Sequence, residues 1–138
     1  MAEFSTGDII DFPYLWAWQA QRGETEGRKD RPCCFALLTR LPNGKHRVFL
    51  VPITTVPSAP EMVAVAVPQI EVRRAGLDEH LRQWVILSEW NADVLEDSFY
   101  IDHQAPIGRF SKAFLHQLLD QLRQMLQAGS LTTIRRDE

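Results

Sequence analysis

Two apolar runs without alternation constrain this chain most. Cys33-Cys34-Phe35-Ala36-Leu37-Leu38 and Val48-Phe49-Leu50 flank Pro42-Asn43-Gly44, a good turn signal. A strand exposed on one face alternates apolar and polar residues; a strand covered on both faces does not. The two runs therefore predict adjacent strands over 32–41 and 46–54, the first of them covered on both faces. Their outer ends carry polar signatures: Arg31-Pro32 opens the first, and Val51-Pro52-Ile53-Thr54-Thr55 closes the second. If the strands are antiparallel neighbours, the turn brings both signatures to one rim of a sheet. A cation and a hydroxyl then converge, which is how a site for an anionic ligand begins.

The remaining segments are shorter. Ile9-Ile10-Asp11-Phe12, after Gly7-Asp8, reads as a first strand, and regularity then disappears from Pro13 to Asp30. A strand is predicted over 62–67, stopped by Pro68, and one or two helical turns between Arg73 and Arg82. Trp84-Val85-Ile86-Leu87 reads as a strand, Ser88-Glu89-Trp90-Asn91 as a turn, and Phe99-Tyr100-Ile101 as another short strand. The clearest element comes last. Ser111 is a good N-cap, and Phe114, Leu115, Leu118, Leu119, Leu122, Met125 and Leu126 recur at helical spacing until Gly129. The pattern predicts a mainly β chain with a C-terminal helix: a small, strongly curved antiparallel sheet or barrel capped by that helix. One domain over 1–138 is expected, with a loosely attached tail from about 132.

Composition narrows the function classes. The net charge of -3 argues against non-specific coating of nucleic acid, which phosphate neutralisation drives. A local basic groove remains open, since Arg22, Arg28, Lys29 and Arg31 fall close together. The longest apolar stretch, Met62 to Pro68, is about a third of what a membrane span needs. With no signal-peptide pattern and two adjacent cysteines that point to opposite faces, a cytoplasmic protein is expected. His46, His80, His103 and His116 are scattered without ligand spacing, so no metal or cofactor is expected.

Taken in order, Gly7-Asp8-Ile9-Ile10, Thr25-Glu26, Arg31-Pro32 and Val51-Pro52-Ile53-Thr54-Thr55 resemble the MazF/PemK family of toxin endoribonucleases. Ser88-Glu89-Trp90 is similar to a Ser-x-x-Trp segment of that family, and Ile107-Gly108-Arg109-Phe110-Ser111 to the entry of its last helix. The resemblance spans about residues 6 to 127. It implies an SH3-like barrel of the kind shared by MazF, Kid and CcdB, forming a homodimer that cleaves single-stranded RNA without a metal. A partly disordered cognate antitoxin blocks the groove in such systems. Residue by residue, the family's strand-opening arginine becomes Arg31, its signature threonine Thr54, and its glutamate Glu26. The chain departs from the family in its aromatic excursion Pro13-Tyr14-Leu15-Trp16-Ala17-Trp18 and in an expanded segment from Ile70 to Gln83.

Metal-free RNA cleavage deprotonates the 2′-hydroxyl, stabilises a pentavalent phosphorane and protonates the leaving 5′-oxygen. The forked guanidinium of Arg31 suits the phosphorane, and the Thr54 hydroxyl suits positioning of the phosphate. The bland alternatives are a surface charge at a strand start and a strand-end threonine bonding its own backbone. For the general base, Glu26, Glu89 and Asp93 are all candidates. Arg28, Lys29 and Thr55 are expected to contact RNA beside them. Trp16 and Trp18 either stack on unpaired bases or pack the loop onto the fold or a dimer partner. Two other classes stay open: a CcdB-like, gyrase-directed toxin that binds a protein and cuts nothing, and a degenerate member keeping only the fold.

Overall fold

The two apolar runs pair as an antiparallel hairpin. A computed structural model describes residues 4–57, 60–102 and 104–137; His103 lies outside them. Strand β2 (Arg31–Arg40) meets β3 (His46–Thr54), with Cys33 opposite Pro52, Cys34 opposite Val51 and Phe35 opposite Leu50. A bulge at Ala36 then shifts the register, so that Leu37 faces Phe49. In the turn, Gly44 takes a positive φ of 88°, which a glycine adopts without steric cost, and Asn43 Oδ1 accepts the Lys45 N–H at 2.9 Å.

Both faces of this pair are covered from Cys33 to Ala36 and from Leu50 to Ile53, whereas the expected cover over 32–41 fails beyond Ala36, where Leu37 is exposed. Cys34, Ala36, Val51 and Ile53 join Ile9 in a first core; Cys33, Phe35, Val48 and Leu50 join Ile10 and Phe12 in a second. The two cysteines thus sit in opposite cores as free thiols. Strand β1 (Asp8–Phe12) borders β2 on its outer side and is followed by the short β7 (Gly108–Arg109). The other edge of β3 is divided. Its residues Arg47–Leu50 pair with β6 (Glu89–Val94), and Ile53–Thr54 pair with β5 (Trp84–Ile86), which carries β4 (Ala64–Ala66) beyond it. Strand β8 (Thr132–Arg135) joins β6 in parallel. Among the described residues this makes one sheet of eight strands, antiparallel apart from the last pairing.

Helix α4 (Lys112–Gln127) lays Phe114, Leu118 and Leu122 on the first core, beside Val72 of α2 (Gln69–Arg74). Ser111 caps α4, its Oγ accepting the Phe114 N–H at 3.2 Å. Glu71 ties the two helices together: it accepts the Ser111 N–H at 2.8 Å, the Ser111 hydroxyl at 2.7 Å and the Arg74 guanidinium at 2.8 Å. Burial pushes the Glu71 carboxyl up, but these donors outweigh it and hold it below its ordinary value.

The second core is closed by Tyr14, Trp16 and Ile101. Here the structure departs from the expected elements. The irregular stretch contains α1 (Ala17–Gln21), and residues 99–101 lie in a helical turn, α3 (Phe99–Asp102), rather than a strand. The helix expected between 73 and 82 lies earlier in the chain, at Gln69–Arg74, and residues 75–82 are turns and irregular chain. The expected turn at 88–91 is instead the start of β6, and the expected loose tail is β8, with Ile134 buried.

One polar network explains the last two. Glu89 and Asn91 look like turn residues, yet both are buried and satisfied by the 13–17 segment. Glu89 Oε1 accepts the Tyr14 hydroxyl at 3.0 Å and the Ala17 N–H at 2.9 Å; Asn91 bonds the Leu15 N–H and carbonyl at 2.9 and 2.8 Å. Arg136, just past β8, donates to the Pro13 carbonyl at 2.7 Å and to Asn91 Oδ1 at 3.0 Å. Its guanidinium also lies over Phe12, 5.2 Å from the ring centroid.

Burial pushes the Glu89 carboxyl above its ordinary 4.5, the bonds from Ala17 and Tyr14 only partly offsetting it, and burial raises Asp93 likewise. A carboxyl with a raised folded-state pKa binds its proton more tightly when folded. Stability is therefore lost as pH rises from the ordinary value through the raised one. Urea denaturation across a pH series should show the unfolding free energy falling over that window. Glu89→Gln should flatten the fall, leaving the share of Asp93; an unchanged slope would refute this placement of Glu89.

Candidate functional site

The β2–β3 register builds a rim. Two residues beyond the Cys33–Pro52 pair stand Arg31 and Thr54, which by strand alternation share a face. Arg31 is also paired to Phe12 of β1. Both line an open cleft of about 510 Å³, together with Lys29 and Thr55. Another part of its wall is Leu77, Asp78, Leu81 and Gln83, from the segment after α2. That wall is fixed by close backbone approach. Gly76 has a φ of 71°, and a Cβ there would meet the Ile107 carbonyl oxygen at 2.5 Å.

Arg31 is half-buried, and its guanidinium lies 4.9 Å from the Trp16 ring centroid. Its buried Nε has no acceptor among the described residues. Burial lowers its pKa from the ordinary arginine value, and a guanidinium still stays charged at neutral pH. A desolvated cation with an unused donor is costly to the fold unless a ligand supplies the acceptor.

Thr54 is buried, and its hydroxyl is engaged locally: it accepts the Val56 N–H at 3.2 Å and donates to the Val56 carbonyl at 3.3 Å. To donate to a phosphate it must release that carbonyl. Thr55 and Lys29 are exposed on the cleft wall.

Glu26 is exposed and does not line this cleft. Glu89 is held by Tyr14 and Ala17, and Asp93 lines a separate cleft beside Arg136. The carboxylates that do line the Arg31 cleft are Asp11, Asp30 and Asp78. Sequence reasoning missed them. Asp30 directly precedes Arg31, but Asp11 reaches the rim only because β1 pairs it with Pro32.

A second, smaller cleft adjoins the first and shares Arg31 and Lys29 with it. Trp16 is 8% exposed and packs edge-on against Tyr14, whereas Trp18 is 40% exposed. Arg28 lies 4.9 Å from the Trp18 ring centroid and forms a bidentate pair with Glu24 at 2.9 and 2.8 Å. The basic loop is seated on the aromatic segment at Gly27, where a Cβ would run into the Pro13 carbonyl.

Elsewhere, burial pushes the Cys33 thiol up and that of Cys34 to about 12, so neither supplies a thiolate nucleophile at neutral pH. Among the described residues no group of three or more His, Cys, Asp or Glu side chains is placed to hold a metal ion. No helix there is long and apolar enough to cross a membrane. Comparison with protein-family models, with curated proteins and with solved structures finds no match to this chain.

Replacing a half-buried, unpaired guanidinium by a flexible apolar chain should not weaken the fold. Arg31→Met should unfold at the same denaturant concentration as the parent or higher, by up to about 2 kcal/mol. A clear loss of stability would show that Arg31 serves the fold instead of a ligand.

Proposed function

We propose that this chain is a metal-independent endoribonuclease of the MazF/PemK type, the toxin of a toxin–antitoxin pair, acting on single-stranded RNA. The observation that carries the reading is the Arg31 guanidinium: its Nε is unclaimed, and it lines one cleft with Thr54, Thr55 and Lys29. A phosphodiester supplies the acceptors that Arg31 lacks. On this reading the 2′-oxygen attacks phosphorus, the bond to the 5′-oxygen breaks as that oxygen takes a proton from Arg31, which solvent then restores, and a 2′,3′-cyclic phosphate remains. Arg31 stabilises the phosphorane charge, and Thr54 positions the phosphate once its hydroxyl leaves the Val56 carbonyl. With Glu26 outside the cleft, Asp11 and Asp30 are the nearer acceptors for the 2′-hydroxyl proton. The same reading takes the eight-stranded sheet as an SH3-like barrel, the working form as a homodimer in the cytoplasm, and a cognate antitoxin as its inhibitor.

Expression of the protein alone in cells, with RNA ends mapped, tests this. Growth arrest accompanied by new RNA ends is expected. Arrest without cleavage would instead indicate a toxin that binds a protein target, and no effect at all a degenerate member of the family. With purified protein, Arg31→Ala should lower the cleavage rate by about 10²–10³-fold, the usual consequence of losing one preorganised donor to the transition state. Thr54→Ala should lower it less. Parent-like cleavage by both variants would end the proposal.

A further inference from the structure

The second cleft, of about 280 Å³, is lined by Tyr14, Trp16, Trp18, Gln19, Arg28, Lys29 and Arg31. It differs from its neighbour in charge. No carboxylate lines it, whereas Asp11, Asp30 and Asp78 line the first cleft. Its two guanidiniums are each laid over an indole: Arg31 over Trp16 and Arg28 over Trp18, both at 4.9 Å from the ring centroid. A guanidinium stacked in this way can turn in-plane N–H donors to an anion: Arg31 has its Nε unclaimed, and Arg28, whose Nε and Nη2 bond Glu24, keeps Nη1. Its other face remains a platform on which an unpaired base can stack.

The cleft is also preorganised. Glu24 holds Arg28 by Nε and Nη2, so the side chain is set before any ligand arrives. Gln19 spends its Oε1 on the Trp16 N–H at 2.9 Å, which fixes the turn that carries both tryptophans. Gly27 seats the basic loop against Pro13. Arg31 and Lys29 stand on the ridge common to both clefts, so a ligand that lies across them enters both.

We propose that this second cleft is a nucleotide subsite: single-stranded RNA held at Thr54 and Thr55 continues across Arg31 and Lys29, and the base of the next nucleotide stacks against the Arg28–Trp18 pair. The inference rests on the reading of the neighbouring cleft as an RNA site, but it concerns binding and not cleavage. Trp18 and Arg28 are therefore affinity determinants, and Arg31 and Lys29 belong to both subsites.

The test is the affinity of a short, fluorescently labelled 2′-O-methyl RNA of randomised sequence, which cannot be cleaved, for the parent, Trp18→Ala and Arg28→Ala. Loss of one stacking partner should weaken binding by about 10-fold in Trp18→Ala. Arg28→Ala, which leaves the indole in place, should weaken it less but measurably. On cleavable RNA both variants should raise KM with kcat held. Parent-like affinity in both variants would overturn the subsite while leaving the cleavage proposal standing. Binding that Trp18→Ala weakens, in a parent that never cleaves RNA, would overturn cleavage and keep the subsite. A parent that binds no RNA would overturn both.

Discussion

The register of β2 against β3 carries the rest of this structure. From Cys33 to Ala36 β2 is covered on both faces, so a slip of one residue would exchange Cys33 and Phe35 with Cys34 and Ala36 between two unlike cores. One core is filled by α4 and α2, the other by Tyr14, Trp16 and Ile101. Neither can accept the other's side chains without voids or overlap. The constraint that fixes the core therefore also fixes Arg31 and Thr54 on a common face at the open rim. The bulge at Ala36 lies on the far side of Cys33 and leaves that relation intact.

Charge at the rim is treated differently from charge elsewhere. Arg74 is paired with Glu71, Arg109 with the fully buried Asp8, and Arg136 with the Pro13 carbonyl and Asn91. Arg47 and Arg135 grip Asp137 and, against the opposing effect of burial, hold its carboxyl down at about 2. Those pairs close the fold. Arg31 has an aromatic face and no carboxylate partner among the described residues, which is the state of a group that completes its bonding with a ligand.

What the sequence made legible follows from how local each signal is. The bounds of β3 and the course of α4 were readable because apolar continuity and helical spacing sit in consecutive residues, with Gly44 and Ser111 marking ends. Arg31 and Thr54 were readable as a pair because one short turn relates them. The start of β6 was not, since Glu89 and Asn91 are polar and their partners lie more than 70 residues away in the 13–17 segment. The same network hid β8: only the pairing to β6 and the Arg136 contacts show that the chain's last residues are held. The carboxylates of the cleft were hidden for a similar reason, since Asp11 reaches the rim through β1–β2 pairing and Asp78 through the turn after α2.

The central claim is that Arg31 is left unpaired for a phosphate. Its Nε–H resonance, followed by NMR while non-cleavable RNA is added and assigned by its disappearance in Arg31→Lys, reports that bond directly. The Arg31 signal should move to lower field with saturating RNA, while the signals of Arg74 and Arg109, already bonded to Glu71 and Asp8, stay in place. RNA binding that leaves the Arg31 signal unmoved would contradict the account.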